Sequence, residues 1–201
     1  QMREYFRQRY GSDSVTVAAA GRIDFDKFVA DLEAITKDWR ETGGGRSTET
    51  PTPQVGEFRQ TDAKLKRHYF AMLSPAPAQQ DERRYAATIL ADMIGDSDGS
   101  RLYWALVDPG LADEADLSYM GLDHAGAFLG YASCVPQRRI EVEKAFLQTI
   151  DAAAAELDED ELERAKNKIA TQVTLQGESP RGRMTALGGR WMVLGEYVPL
   201  D

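Results

Sequence analysis

The sequence predicts an α+β domain of two layers, a mostly antiparallel sheet covered by helices on one face. Short runs of apolar, β-branched or aromatic residues bounded by Gly or Pro, such as residues 15–20 and 67–73, read as strands. Longer stretches with apolar residues three and four apart read as helices. The two kinds follow one another in short antiparallel pairs and not in strict strand–helix–strand repeats, which places the helices on one side of a sheet.

Residues 15–20 form the first strand, closed by Gly21. Asp24 offers an N-cap to a helix carrying Phe25, Phe28, Val29, Leu32, Ile35 and Trp39. Residues 42–53 are rich in Gly, Ser, Thr and Pro and hold no packed element. They are read as a surface loop and not a boundary, because neither flank is long enough to bury a core alone; residues 1–201 are expected to form one domain.

Residues 55–59 and 67–73 read as two further strands. The second is ended by Ser74-Pro75-Ala76-Pro77, since proline donates nothing to a ladder. A helix over 81–94 follows, with Tyr85, Ile89, Leu90 and Met93 as its apolar stripe and Gly95 as its stop. Gly99 and Ser100 then supply the turn and cap of a shorter helix over 101–107. Residues 116–135 read as a hairpin turning around Asp123-His124-Ala125-Gly126, ended by Pro136. A long helix over 138–156 carries Val142, Ala145, Phe146, Ile150 and Ala153 on one side. Asp158 and Glu161 form an Asp-x-x-Glu variant of a capping box, opening a helix with Leu162, Ala165, Ile169 and Val173.

The net charge of −9 argues against nucleic acid as a partner, because phosphate binding needs clustered Lys and Arg. It suits a solvated acidic surface, and would attract basic peptides. No apolar run approaches the ~20 residues needed to cross a bilayer. The first residues lack the apolar core of a signal peptide, but the sequence reads as a piece of a longer chain, and the compartment stays open between cytoplasm and periplasm. A single cysteine, Cys134, excludes an internal disulfide framework and any multi-cysteine metal site. It sits among Gly130, Tyr131, Ala132 and Val135 and reads as a small buried residue.

The two histidines, His68 and His124, are too far apart for a short metal motif. His68 lies in a strand beside Tyr69 and Phe70 and reads as a partly buried structural histidine; His124 sits at the hairpin turn and reads as solvated. Neither H-E-x-x-H nor H-x-x-E-H occurs, so no metal centre is expected in this chain. Residues 95–100, Gly-Asp-Ser-Asp-Gly-Ser, lack the Gly-Lys-Ser/Thr ending of a phosphate loop and carry two aspartates where an anion would sit. Composition and spacing alone therefore end at an α+β domain without recognisable catalytic machinery.

Three segments in order resemble the C-terminal repeat domain of pitrilysin/insulinase-type zinc peptidases, which include mitochondrial processing peptidase. The first runs from Phe6-Arg7-Gln8-Arg9-Tyr10 through residues 15–20 and Gly21 to the helix ending at Trp39. The second comprises residues 90–95, then Ser100-Arg101-Leu102, then Gly110-Leu111-Ala112. The third, residues 159–167, is similar to the family's Glu-Glu-Leu-x-x-Ala-Lys-Asn. The resemblance covers residues 6–195 and implies a duplicated architecture, in which two homologous halves enclose a chamber. The N-terminal half then carries H-x-x-E-H and binds zinc, while this half, without zinc or another cofactor, closes the chamber and holds unfolded peptide.

The resemblance marks Ser100, Arg101 and Tyr119 as candidate peptide-facing residues. It also marks a departure: the arginine and tyrosine that many members use to steady the developing oxyanion are replaced by Val107 and Asp113, neither of which can donate those hydrogen bonds. The partners it implies are the zinc-binding half, on the same chain or a separate subunit, unfolded peptides, and a second copy in a dimer. Two other readings stand beside it. One is a catalytically silent scaffold resembling the core subunits of respiratory complexes; the other is a free-standing peptide-binding module that takes an extended peptide at a sheet edge. A longer bacterial-type chain is the expected setting.

Overall fold

The computed structural model describes residues 1–44, 51–96 and 98–197. In chain order its elements are α1 (Met2–Arg9), α2 (Phe25–Thr36), β1 (His68–Pro75), α3 (Arg84–Gly95), a π-helical turn (Tyr103–Val107), β2 (Glu114–Leu122), β3 (Ala125–Cys134), a 3-10 turn (Pro136–Arg138), α4 (Arg139–Ala155), α5 (Glu159–Glu178) and α6 (Pro180–Leu194). The chain divides into two compact units: Glu49–Thr171, and Gln1–Thr48 with Gln172–Asp201.

The larger unit holds an antiparallel three-stranded sheet in the order β1-β3-β2. β2 and β3 form the expected hairpin. Its two-residue tip is Asp123 and His124, and His124 takes a left-handed φ of 56°. The Gln80 side chain holds this tip, donating to Asp123 Oδ1 at 2.6 Å and accepting from the His124 amide at 3.1 Å. β1 runs two residues further than its prolines suggest, with Pro75 opposite Ala127. An edge strand tolerates this, because its outer side needs no donor.

Directly opposed residues share a sheet face, so the register sorts every side chain. One face carries Phe70, Ala132 and Ala115 in one row and Met72, Gly130 and Leu117 in the next. With Ile94, Leu102, Leu106, Val142, Phe146 and Ala153 from the helices, this face forms the core. The Phe146 ring of α4 meets Phe70 edge-on at 5.2 Å and lies over Gly130, where a Cβ would come within 2.8 Å of it. α3 approaches still more closely. Its buried Ala87, Ala91 and Gly95 recur every four residues, and a Cβ on Gly95 would sit 2.0 Å from the Leu117 amide nitrogen.

The stripe expected on α3 is thus shifted: Met93 is buried, but Tyr85 is 59% exposed and packs under the Arg84 guanidinium, 4.3 Å from its ring centroid. The capping box is half-made. Asp158 accepts from the Asp160 amide at 3.1 Å, while Glu161 bonds Arg101 instead of returning to the backbone. The short helix over 101–107 is wound as a π-turn from Tyr103 onward. Residues 55–59 join no ladder among the described residues. Alternation in a sequence can suggest a strand but cannot supply the neighbouring backbone that a ladder needs.

In the smaller unit, Asp24 caps α2 as expected, accepting from the Lys27 amide at 3.1 Å. Residues 15–20 form no ladder among the described residues; residues 16–20 line an apolar groove of about 500 Å³ with Phe25, Phe28, Leu187 and Trp191. The Asp13 carboxylate accepts from the amides of Thr42 and Gly43, at 3.0 and 2.7 Å, fixing the start of the expected 42–53 loop. Residues 45–50 of that loop lie outside the described residues. α1 and α6 were not among the expected elements, yet α6 has clear end signals. Ser179 caps it through a 2.9 Å bond from the Gly182 amide, Pro180 is its first residue, and Gly195 closes it at φ +69°.

Two glycine substitutions test the packing. Gly95→Ala is expected to lower the unfolding free energy by about 3 kcal/mol, the upper range of overpacking, because backbone meets backbone. Gly130→Ala is expected to cost less, about 1–2 kcal/mol, because the Phe146 ring can turn aside. Urea denaturation of both variants measures the difference.

Candidate functional site

Ser100 opens the π-turn and is buried there. Its Oγ donates to the Asp96 carbonyl at 2.6 Å and accepts from the Tyr103 amide at 3.2 Å, with Gly99 before it at φ +82°. Arg101, the next residue, reaches the start of α5. Its Nε and Nη2 donate to Glu161 Oε2 at 3.0 and 2.7 Å, and Nη2 also bonds the Glu156 carbonyl. A planar guanidinium thereby ties the end of α4 and the first turn of α5 to the π-turn, a task the point charge of lysine would do less well. Lys168 of α5 adds ion pairs to Asp92 at 3.4 Å and to Asp96.

Tyr119 lies on the helix-covered face of β2. Its hydroxyl donates to the Pro77 carbonyl at 2.8 Å, and its ring tilts against Phe128 at 6.1 Å. No recorded bond or ring contact joins Tyr119 to Ser100 or Arg101 among the described residues. Val107 ends the π-turn and packs on the core cluster. Asp113 precedes β2; its amide donates to the Ser133 carbonyl at 2.8 Å, and its carboxylate pairs with Arg67 at 3.1 Å. Val107 offers no polar atom from its side chain, and the Asp113 carboxylate is an acceptor already facing a guanidinium.

At the same end of the sheet, His68 Nε2 lies 2.9 Å from Glu143 Oε1, joining β1 to α4. Cys134, opposite His68 in the register, is 1% exposed. Burial pushes its thiol up, and the Asp113 and Glu143 carboxylates add to this, so it stays protonated and unreactive at neutral pH. His124 is exposed, 3.7 Å from its neighbour Asp123. Among the described residues no three His, Cys, Asp or Glu side chains gather as metal ligands, so the residues present do not fit zinc. Likewise, no helix among them is long and apolar enough to cross a membrane.

The sheet face turned away from the helices was not singled out by the sequence. Its rows read Tyr69–Ser133–Glu114, Ala71–Tyr131–Asp116, Leu73–Leu129–Ser118 and Pro75–Ala127–Met120, with Ala125–Leu122 at the hairpin end. Tyr69 and Tyr131 stack at 6.5 Å. Burial raises the Asp116 carboxyl above the usual carboxylate range, and Glu114 adds to the shift. The signal for this face was in the sequence, in the second set of alternating positions of the three strands, but it became readable only with the register.

A family model described as the peptidase M16 inactive domain matches residues 1–169. The chain is 25% identical over 210 residues to an uncharacterised zinc protease of Streptomyces coelicolor, covering 100% of this chain and 46% of that protein. It thus spans less than half the length of that relative. Among solved structures, it resembles a protease from Helicobacter pylori with a TM-score of 0.71 and 19% identity, over 88% of this chain and 45% of the other. A chain of complex III from Candida albicans matches with a TM-score of 0.73 and 17% identity, over 90% and 45%.

Two measurements test the local chemistry. Arg101→Ala is expected to cost about 2 kcal/mol of stability, the usual worth of hydrogen bonds to a charged group, read from denaturant melts. A carboxylate whose folded-state pKa is raised costs stability above that pKa, and the cost is gone once the pH falls below the unfolded value of ~3.9. Asp116→Asn is therefore expected to raise the melting temperature at neutral pH and to leave it unchanged at about pH 3.

Proposed function

This chain belongs to the peptidase M16 inactive-domain family, and from that premise we propose that it is the non-catalytic, substrate-holding half of a zinc-dependent endopeptidase, closing the chamber in which unfolded peptide is degraded or processed. The observation that carries the proposal is the family match over residues 1–169 in a sequence without H-x-x-E-H. The Streptomyces relative, named a zinc protease and more than twice the matched length, supports a second half that supplies the zinc. That half stands on the same chain or on a partner subunit. Residues 1–201 act in this reading as one repeat domain.

Ser100, Arg101 and Tyr119 enter as the candidate peptide-facing residues. Their present bonds, to Asp96, Glu161 and Pro77, are the ones a bound peptide would compete with. The second reading, a silent scaffold of the same fold, is favoured by one observation: Val107 has no donor, and Asp113 presents an acceptor to Arg67. The two readings differ in whether the assembled protein cleaves.

The test is hydrolysis of a fluorogenic mixture of unfolded peptides by this chain alone and by the chain joined to its zinc-binding half, with and without chelator. Chelator-sensitive cleavage by the joined form, with none by the chain alone, is the expected result. No cleavage by a joined form shown to be folded and zinc-loaded would establish the scaffold reading instead.

A further inference from the structure

Asp98-Gly99 is the single Asp-Gly step of the chain, and no Asn-Gly step occurs. Both residues are exposed, in the turn between α3 and the Ser100 cap. A glycine after an aspartate leaves the intervening amide unshielded, because it has no side chain to cover it. Nothing else covers this one: a Cβ on Gly99 would meet no atom within 4 Å, and its φ is +82°. Among the described residues the Gly99 amide donates no hydrogen bond, and the Asp98 carboxylate accepts none and forms no ion pair. A carboxyl carbon and an amide nitrogen that can close a five-membered ring therefore stand together in solvent.

Other aspartates in turns are held back from that chemistry. Asp123 accepts from the Gln80 side chain at 2.6 Å, and Asp13 from the amides of Thr42 and Gly43. Asp108 precedes Pro109, which has no N–H to give up. At Asp98 the step balances without oxidant or metal. The Gly99 amide nitrogen bonds to Cγ of the protonated Asp98 carboxyl, and the carboxyl hydroxyl leaves with the amide proton as water. Water then adds to one carbonyl of the resulting succinimide ring. Breaking the bond from nitrogen to Cγ restores aspartate. Breaking the bond from nitrogen to the main-chain carbonyl carbon leaves isoaspartate, with one more carbon in the chain path. That carbon falls inside the loop closed by the 2.6 Å bond from Ser100 Oγ to the Asp96 carbonyl. The same Oγ accepts from the Tyr103 amide at 3.2 Å, and Arg101 follows it.

We propose that Asp98-Gly99 is a site of spontaneous isoaspartate formation, and that the added carbon releases the Ser100 cap. The isoaspartyl product, exposed in its turn, is a substrate for a carboxyl methyltransferase that uses S-adenosylmethionine. The methyl moves from the sulfonium to the freed α-carboxylate, leaving S-adenosylhomocysteine. The Gly99 nitrogen then closes the ring again as methanol leaves, and hydrolysis returns part of the chain to aspartate. None of this needs zinc or a second half.

The experiment keeps the full-length protein containing this chain folded at neutral pH for several weeks. Methyl groups transferred from labelled S-adenosylmethionine by an isoaspartyl methyltransferase are counted, and electron-transfer fragmentation locates them. Label should accumulate at residue 98, preceded there by a species one water lighter. Hydrogen exchange at the Tyr103 amide should quicken about 5-fold in the aged protein, as loss of one helix cap requires, and repair should reverse it. Asp98→Glu, which could close only a slower six-membered ring, should keep the exchange of the fresh protein and lose the label. Asp98→Asn, which expels ammonia in place of water, should gain it sooner. Label that appears at residue 98 in urea but not in the folded protein overturns the proposal, because the native turn then protects the step. Label placed mainly at another aspartate, or undiminished in Asp98→Glu, overturns it equally. Isoaspartate at residue 98 with Tyr103 exchange unchanged overturns the release of the cap.

Discussion

The larger unit depends on the contact between Gly95 and Leu117. A helix ordinarily stands off a sheet by the thickness of its side chains, yet here the last turn of α3 rests on the β2 backbone, where a Cβ would meet the Leu117 nitrogen at 2.0 Å. The buried Ala87 and Ala91 one and two turns earlier are correspondingly small. This approach sets where α3 stops, and the chain then turns through Gly99 at φ +82° into the Ser100 cap. On the neighbouring strand Gly130 gives the Phe146 ring its place, so both helices reach the sheet through glycine. Close packing of this kind admits little volume change, which makes these positions demanding.

Polar ties then hold what the glycines bring together. Arg101 fastens the end of α4 and the start of α5, and Lys168 fastens α5 to Asp92 and Asp96. The segment resembling the family's Ser-Arg-Leu is therefore, in this structure, a junction between four elements. Ser100 and Arg101 spend their hydrogen bonds inward, and Leu102 is fully buried. A motif shared across a family can mark such a junction as readily as a point of contact with substrate.

The two faces of the sheet divide the labour. The helix-covered face carries the core and buries Cys134 beside the His68–Glu143 pair, where the thiol has no chemistry to offer. The opposite face keeps large apolar side chains in solvent, with an acidic end whose carboxylates form no ion pair among the described residues. The chain belongs to the peptidase M16 inactive-domain family.

Local rules were legible in the sequence wherever a residue acts on its own neighbours. Asp24 announced its cap, Ser100 its turn, the alternation of residues 116–135 their hairpin, and Val142, Phe146 and Ala153 the inner side of α4. The Ser179-Pro180 start and Gly195 end of α6 were equally local signals, so that helix was open to the same reading. The strands expected at 15–20 and 55–59 were not settled by their own residues, because a ladder belongs to two segments and a sequence names only one. For the same reason Tyr85 turned outward: the inner side of α3 was chosen by the sheet, which had room for Ala and Gly and none for an aromatic ring. The destination of Glu161 was decided by Arg101, sixty residues away in the chain, and the open face by the register of three strands. By itself the sequence determined the hairpin, the helices with local end signals, the absence of H-x-x-E-H and the resemblance; only the tertiary structure decided which expected strands pair and which side of each element is buried, since both depend on the element packed alongside.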